Sequence, residues 1–460
     1  MKQNSTKDLT IGSPLKLLLG FIAPLLLGML FQQFYSMVDT VVVGKFLGVD
    51  ALAGVGSTGS INFMILGFCQ GVCAGFAIPV AQKFGQRDFS GMRRIVGNMI
   101  WTGIIIAAVM TSATALLCRN ILVWMNNPAE TFHYAYQYIF IIFLGIPAAM
   151  LYNLLAGIIR SLGDSRTPLL FLIFSSLLNV ALDLALILWA KMGVAGAAVA
   201  TVASQLISGI LCLLFMVRRY PILRMSREDL KLRSYESGIL LSMGLPMGLQ
   251  YSITAIGSAL LQTSVNSLGP SAMAATTAGG KVGMFLVCPL DAIGTAAATY
   301  AGQNVGAGKL ERIHAGTRAS TVLGTVYCAV IFLVVYFFGD SLVMLFLESG
   351  EAEIIRMSRQ LLVVNAAFYI PLLFVNLLRF TIQGMGFSKY AVLAGVLEMI
   401  ARGVLAVLLV PKFGFDAVCF ASPAAWIMAD MFLFPMYFYG MRRLGYHGKK
   451  SRQSTPTVER

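Results

Sequence analysis

Of the 460 residues, 58% are hydrophobic and only 12% are charged, and the mean hydropathy is +0.79. A water-soluble domain carries about 25% charged residues, so this chain lacks the polar surface needed to fold in water. The net charge of +14 therefore has to be read against a membrane topology before it is read as a nucleic-acid footprint.

Apolar stretches recur along the whole chain, each long enough to cross about 30 Å of hydrocarbon as a helix. Backbone groups in lipid must bond internally, which favours helices, and the alternating pattern of a membrane barrel is not seen. Twelve spans are predicted, at 15–43, 52–80, 93–118, 132–158, 167–190, 194–217, 237–265, 272–300, 313–338, 357–385, 388–411 and 415–440. The first apolar run starts near Leu15 and outlasts a signal-peptide core, with no small-residue cleavage pattern, so it is expected to be retained. Seven cysteines lie mostly inside apolar stretches. Cys69 and Cys73 are four apart on one helix face, but no second ligand pair accompanies them, and they read as packing residues.

The segments between spans fix orientation. With the amino terminus in the cytoplasm, the inner segments hold most of the 34 basic residues, among them Lys83, Arg87, Arg93, Arg94, Arg160, Arg166, Arg218, Arg219, Lys309, Arg312, Arg442 and Arg443. The outer segments hold Lys45, Arg119, Lys191, Arg356, Arg359 and Lys412. The positive-inside rule thus puts both termini of a multi-pass protein of the cytoplasmic membrane inside the cell. The net charge is this bias, and nucleic acid is not an expected partner.

The chain repeats itself at about 221 residues. Pro24 to Gly28 is matched by Pro246 to Gln250, Leu47-Gly48 by Leu268-Gly269, and Gln82 to Gly85 by Gln303 to Gly306. Arg160 to Arg166 returns as Gln383 to Lys389. An even number of spans per half makes the repeats parallel, related by an axis along the membrane normal. The expected fold is an all-α membrane protein: an amino-terminal six-helix lobe (1–217), a cytoplasmic linker (218–236), a carboxy-terminal six-helix lobe (237–440) and a basic tail (441–460), the lobes enclosing a central cavity. Duplicated lobes that rock about a shared interface suit alternating-access transport. No P-loop spacing points to ATP hydrolysis, and the three histidines support neither a metal site nor a triad. An enzyme is not expected.

A charge at bilayer depth costs roughly 2.5–3.5 kcal/mol on insertion scales, so each one is a functional candidate. Asp39 falls roughly 12 Å below the outer end of span 1 and Asp183 roughly 10 Å below that of span 5. Asn179 shares a helix face with Asp183, and Thr201 and Tyr138 come to a similar depth. Two carboxylates in a low-dielectric cavity titrate as a unit and can hold a proton, or a sodium ion where enough oxygens converge. The alternative is that Asp39 caps a shorter helix and Asp183 faces a wet vestibule. Pro24 is a candidate hinge below Asp39. Tyr35, Gln33, Asn153, Lys281, Glu398 and Arg402 are further candidates for lining the cavity or meeting substrate. Glu398 and Arg402, four apart, also read as a self-neutralising ion pair, and Arg379 reads as snorkelling.

The run Pro24…Gln33-x-Tyr35-x-x-x-Asp39-Thr40…Gly44…Leu47-Gly48 resembles the first helix of a known family. Leu162 to Pro168 followed by Asn179-x-x-x-Asp183, and Gly302-Gln303-Asn304-x-Gly306-Ala307-Gly308-Lys309, are similar to it too. Together they resemble the multidrug and toxic compound extrusion (MATE) family over nearly the whole chain. The resemblance implies an antiporter, coupled to H+ or Na+ and without a cofactor, that expels organic, often cationic, compounds. In the branch with an amino-terminal cation site, the ligands fall on Asp39, Asn179, Asp183 and Thr201, with Tyr138 nearby. Ala156 replaces a further asparagine of that branch, with Asn153 one turn away. Thr254 stands near where another branch has a carboxy-terminal acid, so coupling is expected in the first lobe. A flippase for a lipid-linked sugar is the alternative; it calls for a cationic cavity, to which Lys281 and Arg402 would contribute. Small organic substrates and membrane lipid are the expected partners of a monomer.

Overall fold

A computed structural model describes residues 6–125, 127–346 and 351–446, and these residues form helices joined by short turns. The first half comprises α1 (Pro14–Leu47), α2 (Val49–Ser57), α3 (Gly59–Gly85), α4 (Phe89–Trp124), α5 (Ala129–Leu144), α6 (Ile146–Ser161), α7 (Arg166–Leu184) and α8 (Val194–Arg219). The second comprises α9 (Ser234–Ser267), α10 (Pro270–Gly306), α11 (Leu310–Val343), α12 (Ala352–Ala367), α13 (Tyr369–Gly384), α14 (Ser388–Val404), α15 (Val410–Phe413) and α16 (Phe415–Arg443). A π-helical turn extends α7 over Ala185–Trp189, and another, Leu405–Leu409, joins α14 to α15. Of the expected tail, Met441–Arg443 complete α16; 447–460 lie outside the described residues.

Among the described residues ten helices are long and apolar enough to cross a membrane, and two bent pairs, each taken as one span, complete the twelve. The pairs are α5–α6, bent by 47°, and α12–α13, bent by 54°. Both bends fall just before a proline in the first turn of the second helix, Pro147 or Pro371, where its missing N–H costs nothing. One expected span is divided: the stretch read as 52–80 breaks at Thr58 into the short α2 and the spanning α3.

The sequence repeat is a repeat of backbone geometry. Gly163 (φ 82°) and Gly386 (φ 96°) close matching turns, as do Gly193 (φ 61°) and Gly414 (φ 59°), all in the left-handed region that favours glycine. The two halves meet at the face where the chain begins, called here the terminal face. Gln82 Nε2 donates to the Gly384 carbonyl at 3.0 Å, and its repeat equivalent Gln303 donates to the Ser161 carbonyl at 2.8 Å. Gly85 and Gly306 let the ends of α3 and α10 touch: a Cβ at Gly85 would lie 2.0 Å from the Gln303 carbonyl oxygen, and one at Gly306 would lie 1.9 Å from that of Gln82. The segment before α1 straps the junction. Lys7 N donates to Leu162 O, Leu9 N to Gln303 Oε1, and Lys309 Nζ to Thr10 O, each at 2.9 Å.

From this face the lobe contact continues to mid-depth, where Ser252 Oγ on α9 donates to Met64 O on α3 at 3.2 Å. Among the described residues no hydrogen bond joins α9 or α10 to the first lobe nearer the opposite face. The molecule is closed at the terminal face and cleft at the other.

Asp88 anchors a turn at the closed face. Its Oδ1 accepts from Gly91 N at 2.8 Å, capping α4, and Lys83 Nζ lies 2.8 Å from Oδ2. Lys83, then the Gly91 N–H, hold this carboxyl down from 3.8 to about 2. A depressed carboxyl stabilises the fold above its unfolded value and loses that contribution as pH falls toward the folded one. Asp88→Ala should therefore cost about 1 kcal/mol at neutral pH, the usual value of such a cap. Thermal melts of wild type and variant should differ at neutral pH and converge as pH is lowered.

Candidate functional site

A cavity of about 740 Å³ opens between the lobes, walled mainly by α1, α3, α5, α6, α7 and α8. The second lobe contributes a few residues, among them Met247, Tyr251, Met284, Thr299 and Phe380. The volume suits one drug-sized molecule.

Asp39 on α1, Tyr138 on α5, Asn179 on α7 and Thr201 on α8 all line this cavity, together with Tyr35 and Asn153. Asp183 sits behind them, wholly buried and electrostatically close to Asp39, Tyr35 and Tyr138. Asn179 Nδ2 donates to Thr201 Oγ1 at 3.4 Å, which turns the Asn179 carbonyl away with no partner. Asp39 Oδ1 and both Asp183 oxygens are likewise buried without a hydrogen-bond donor. Among the described residues, no Lys or Arg pairs with either acid. A buried carboxylate left unpaired is strongly disfavoured, so the pair must take up a proton or a cation. The donors are all oxygen, which suits H+ or a hard ion such as Na+.

Pro24 lies inside the unbroken α1 and faces the cavity. Asn153 is partly committed, its Nδ2 donating to Ala149 O at 2.8 Å. Four other expectations are corrected. Gln33 does not line the cavity; Gln32, about 100° round the helix, does. Lys281 is exposed on α10, outside the cavity, and among the described residues it forms no ion pair. Glu398 and Arg402 are buried in the second lobe at 3% and 8% exposure, outside the cavity. Arg379 does not snorkel. It is buried and forms the close ion pair with Glu398, while Arg402 Nη2 stands off at 3.7 Å.

The second lobe also has acids that the sequence reasoning missed. Asp291 on α10 accepts from Asn376 Nδ2 at 2.8 Å, and Asp430 on α16 is buried within range of Arg379. Both stand in the middle of an apolar stretch, which was a sufficient signal. Buried acids therefore occur in the second lobe beyond Glu398. The difference between the lobes is that Glu398 in the second meets built-in guanidinium groups, whereas among the described residues Asp39 and Asp183 in the first meet none. Glu398→Gln should remove the ion-pair partner of both buried guanidinium groups and cost about 3 kcal/mol. A marked fall in the thermal midpoint of the solubilised protein is the expected readout.

Two similar lobes around a central cavity, with unpaired acids beside it, define the class: a polytopic secondary transporter. The MatE family profile matches residues 24–185 and again 246–408, one copy in each half. The chain belongs to this family of multidrug efflux transporters, and it is not an enzyme. The probable multidrug resistance protein YpnP of Bacillus subtilis is 30% identical over 405 residues, 86% of this chain and 88% of its own length. YoeA of the same organism, also named a probable multidrug resistance protein, is 28% identical over 363 residues, 77% of this chain and 78% of its own. A FAD transporter of Shewanella oneidensis is 22% identical over 358 residues, 77% of this chain and 78% of its own. In structure the chain is similar to a multidrug resistance MATE transporter in an outward-facing conformation, with a TM-score of 0.87 and 20% identity over 99% of this chain and 100% of that one.

Proposed function

We propose that the chain exports organic compounds by cation-coupled antiport, with H+ or Na+ taken up at Asp39, Asn179, Asp183 and Thr201 beside Tyr138. The observation that carries this reading is the pair of buried carboxyls with no basic partner, set against a drug-sized cavity. With the termini in the cytoplasm of a multi-pass protein of the cell membrane, the cleft faces outward and the closed terminal face inward. The cation then enters from outside, and its binding displaces cargo held against Asp39. Residues 1–217 and 237–440 rock as lobes about the 218–236 linker, with Pro24 as the hinge of α1. The flippase reading loses the two residues that suggested it, since Lys281 and Arg402 both lie outside the cavity, and a cationic lining then rests on Arg160. The name of the Shewanella relative widens the cargo beyond organic cations.

The test uses purified protein in vesicles loaded with a fluorescent dye. A sodium gradient is imposed at fixed pH with choline as the replacement ion, and a proton gradient is imposed without sodium. One of the two should drive dye movement against its gradient. Movement under neither would overturn the proposal.

A further inference from the structure

Among the described residues two charged side chains line the cavity, Asp39 and Arg160. Arg160 stands at the last turn of α6, at the cavity's floor with Gly157, Ser161 and Pro168. Pro168, whose carbonyl accepts from Tyr152 Oη at 3.0 Å, marks the level of this floor on α7. Pro168 precedes Asn179 by 11 residues on α7, so Arg160 lies roughly 16 Å below the acidic cluster at 1.5 Å per residue.

A guanidinium has five donors and no acceptor. Among the described residues, that of Arg160 forms neither an ion pair nor a hydrogen bond. Its electrostatic neighbours are Tyr152, Cys73, Cys212 and Tyr251, all neutral groups. The nearest acid in sequence, Asp164, is committed elsewhere: it accepts from Arg166 N, Thr167 N, Thr167 Oγ1 and Tyr220 Oη. The other arginines buried in membrane-spanning helices, Arg379 and Arg402, both face Glu398. The repeat equivalent of Arg160 is Gln383, which carries no charge and is bonded to Gln250 at 2.6 Å. The charge at the floor is therefore not demanded by the fold.

We propose that Arg160 is an anion subsite and that the cargo is dipolar: an aromatic amphiphile with a carboxylate, sulfonate or phosphate at one end and a cationic group at the other. This rests on the transport reading above and names its cargo class. The planar fork of an arginine suits bidentate pairing with such anions, and Tyr152 and Tyr251 line the same cavity and offer it apolar ring surface. The cationic end points toward Asp39, where an incoming H+ or Na+ competes with it. Arg160 also adjoins Ser161, whose carbonyl takes the Gln303 hydrogen bond of the closed face, so the anionic end sits directly on the gate.

The test is equilibrium binding by fluorescence anisotropy to the full-length protein in detergent, with no gradient imposed. The probes are rhodamine 110, which bears a free carboxylate and a cationic ring system, and rhodamine 123, its methyl ester. The wild type should bind the carboxylate dye about tenfold or more tightly than the ester. Arg160→Gln should abolish that preference and leave ester binding within about threefold, and Arg160→Lys should restore part of it. Equal binding of the two dyes by the wild type, equal weakening of both by Arg160→Gln, or binding of neither dye would overturn the proposal. Gradient-driven export of the same dyes is measured separately, so a failure of coupling is distinguishable from a failure of recognition.

Discussion

Asp183→Asn is expected to lower gradient-driven export by about 100-fold or more while leaving the protein as stable as the wild type, or more so. The two effects have one cause. Asp183 is wholly buried, and neither of its carboxylate oxygens meets a donor. The ionised form is tolerable only with a cation beside it, which is the property a coupling site needs. Asparagine keeps the shape and removes the charge, so the resting fold loses a desolvation penalty while the cation loses its ligand. A loss of about 3 kcal/mol in cation binding corresponds to more than 100-fold. Export from vesicles and the thermal midpoint of the same preparations are the paired measurements. A fall in both together would make Asp183 a structural residue and sink the coupling argument.

Gly306→Leu should have an effect of similar size at the other end of the cycle. A Cβ there would lie 1.9 Å from the Gln82 carbonyl oxygen, a backbone atom that no rotamer change can move. The clash exists only while the ends of α3 and α10 touch, so its cost falls on the conformation closed at the terminal face. Overpacking typically costs 1–3 kcal/mol, and contact with backbone sits at the upper end. A penalty of about 3 kcal/mol on one of two states shifts their ratio by more than 100-fold. Spin labels on cysteines placed at the exposed positions Gln86 and Glu311, in a background without the seven native cysteines, report the separation of the two lobes. The wild type should give a short, narrow distance distribution, and Gly306→Leu a longer one. An unchanged distribution would mean that the glycine contact does not set the state of the gate.

The spans and the duplication were legible because each rests on a long signal: about 20 apolar residues for a span and about 221 for the repeat. The acidic cluster was legible for a related reason. Depth along a helix follows from counting residues, so Asp39, Asn179, Asp183 and Thr201 could be levelled without knowing how the helices pack. Azimuth could not. Gln33 and its neighbour Gln32 have the same depth, and only the packing of α1 against α7 and α10 decides which of them sees the cavity. Lys281 failed in the same way. Arg379 was misread because its partner, Glu398, lies on another helix and only the i,i+4 residue Arg402 was visible from sequence. Asp291 and Asp430 escaped a search keyed to the repeat equivalents of Asp39 and Asp183. Arg160 was assigned to a loop by ending its span at 158, whereas α6 continues to Ser161 and carries the side chain into the cavity.

The guanidinium groups of the second lobe have a mechanical consequence. Arg402 occupies the repeat position of Asn179, so a fixed positive charge stands where the first lobe presents a neutral amide. On the proposed coupling, the Glu398 site of the second half stays paired throughout while the acids of the first are filled and emptied on every cycle. On that reading the half whose Glu398 is already paired can serve as the stiff abutment. Deformation is then concentrated in the half that holds α1 and α7, and it reaches the cargo through the helix that carries both Pro24 and Asp39. Duplication supplied two equal lobes, and charge placement made one of them the frame and the other the spring.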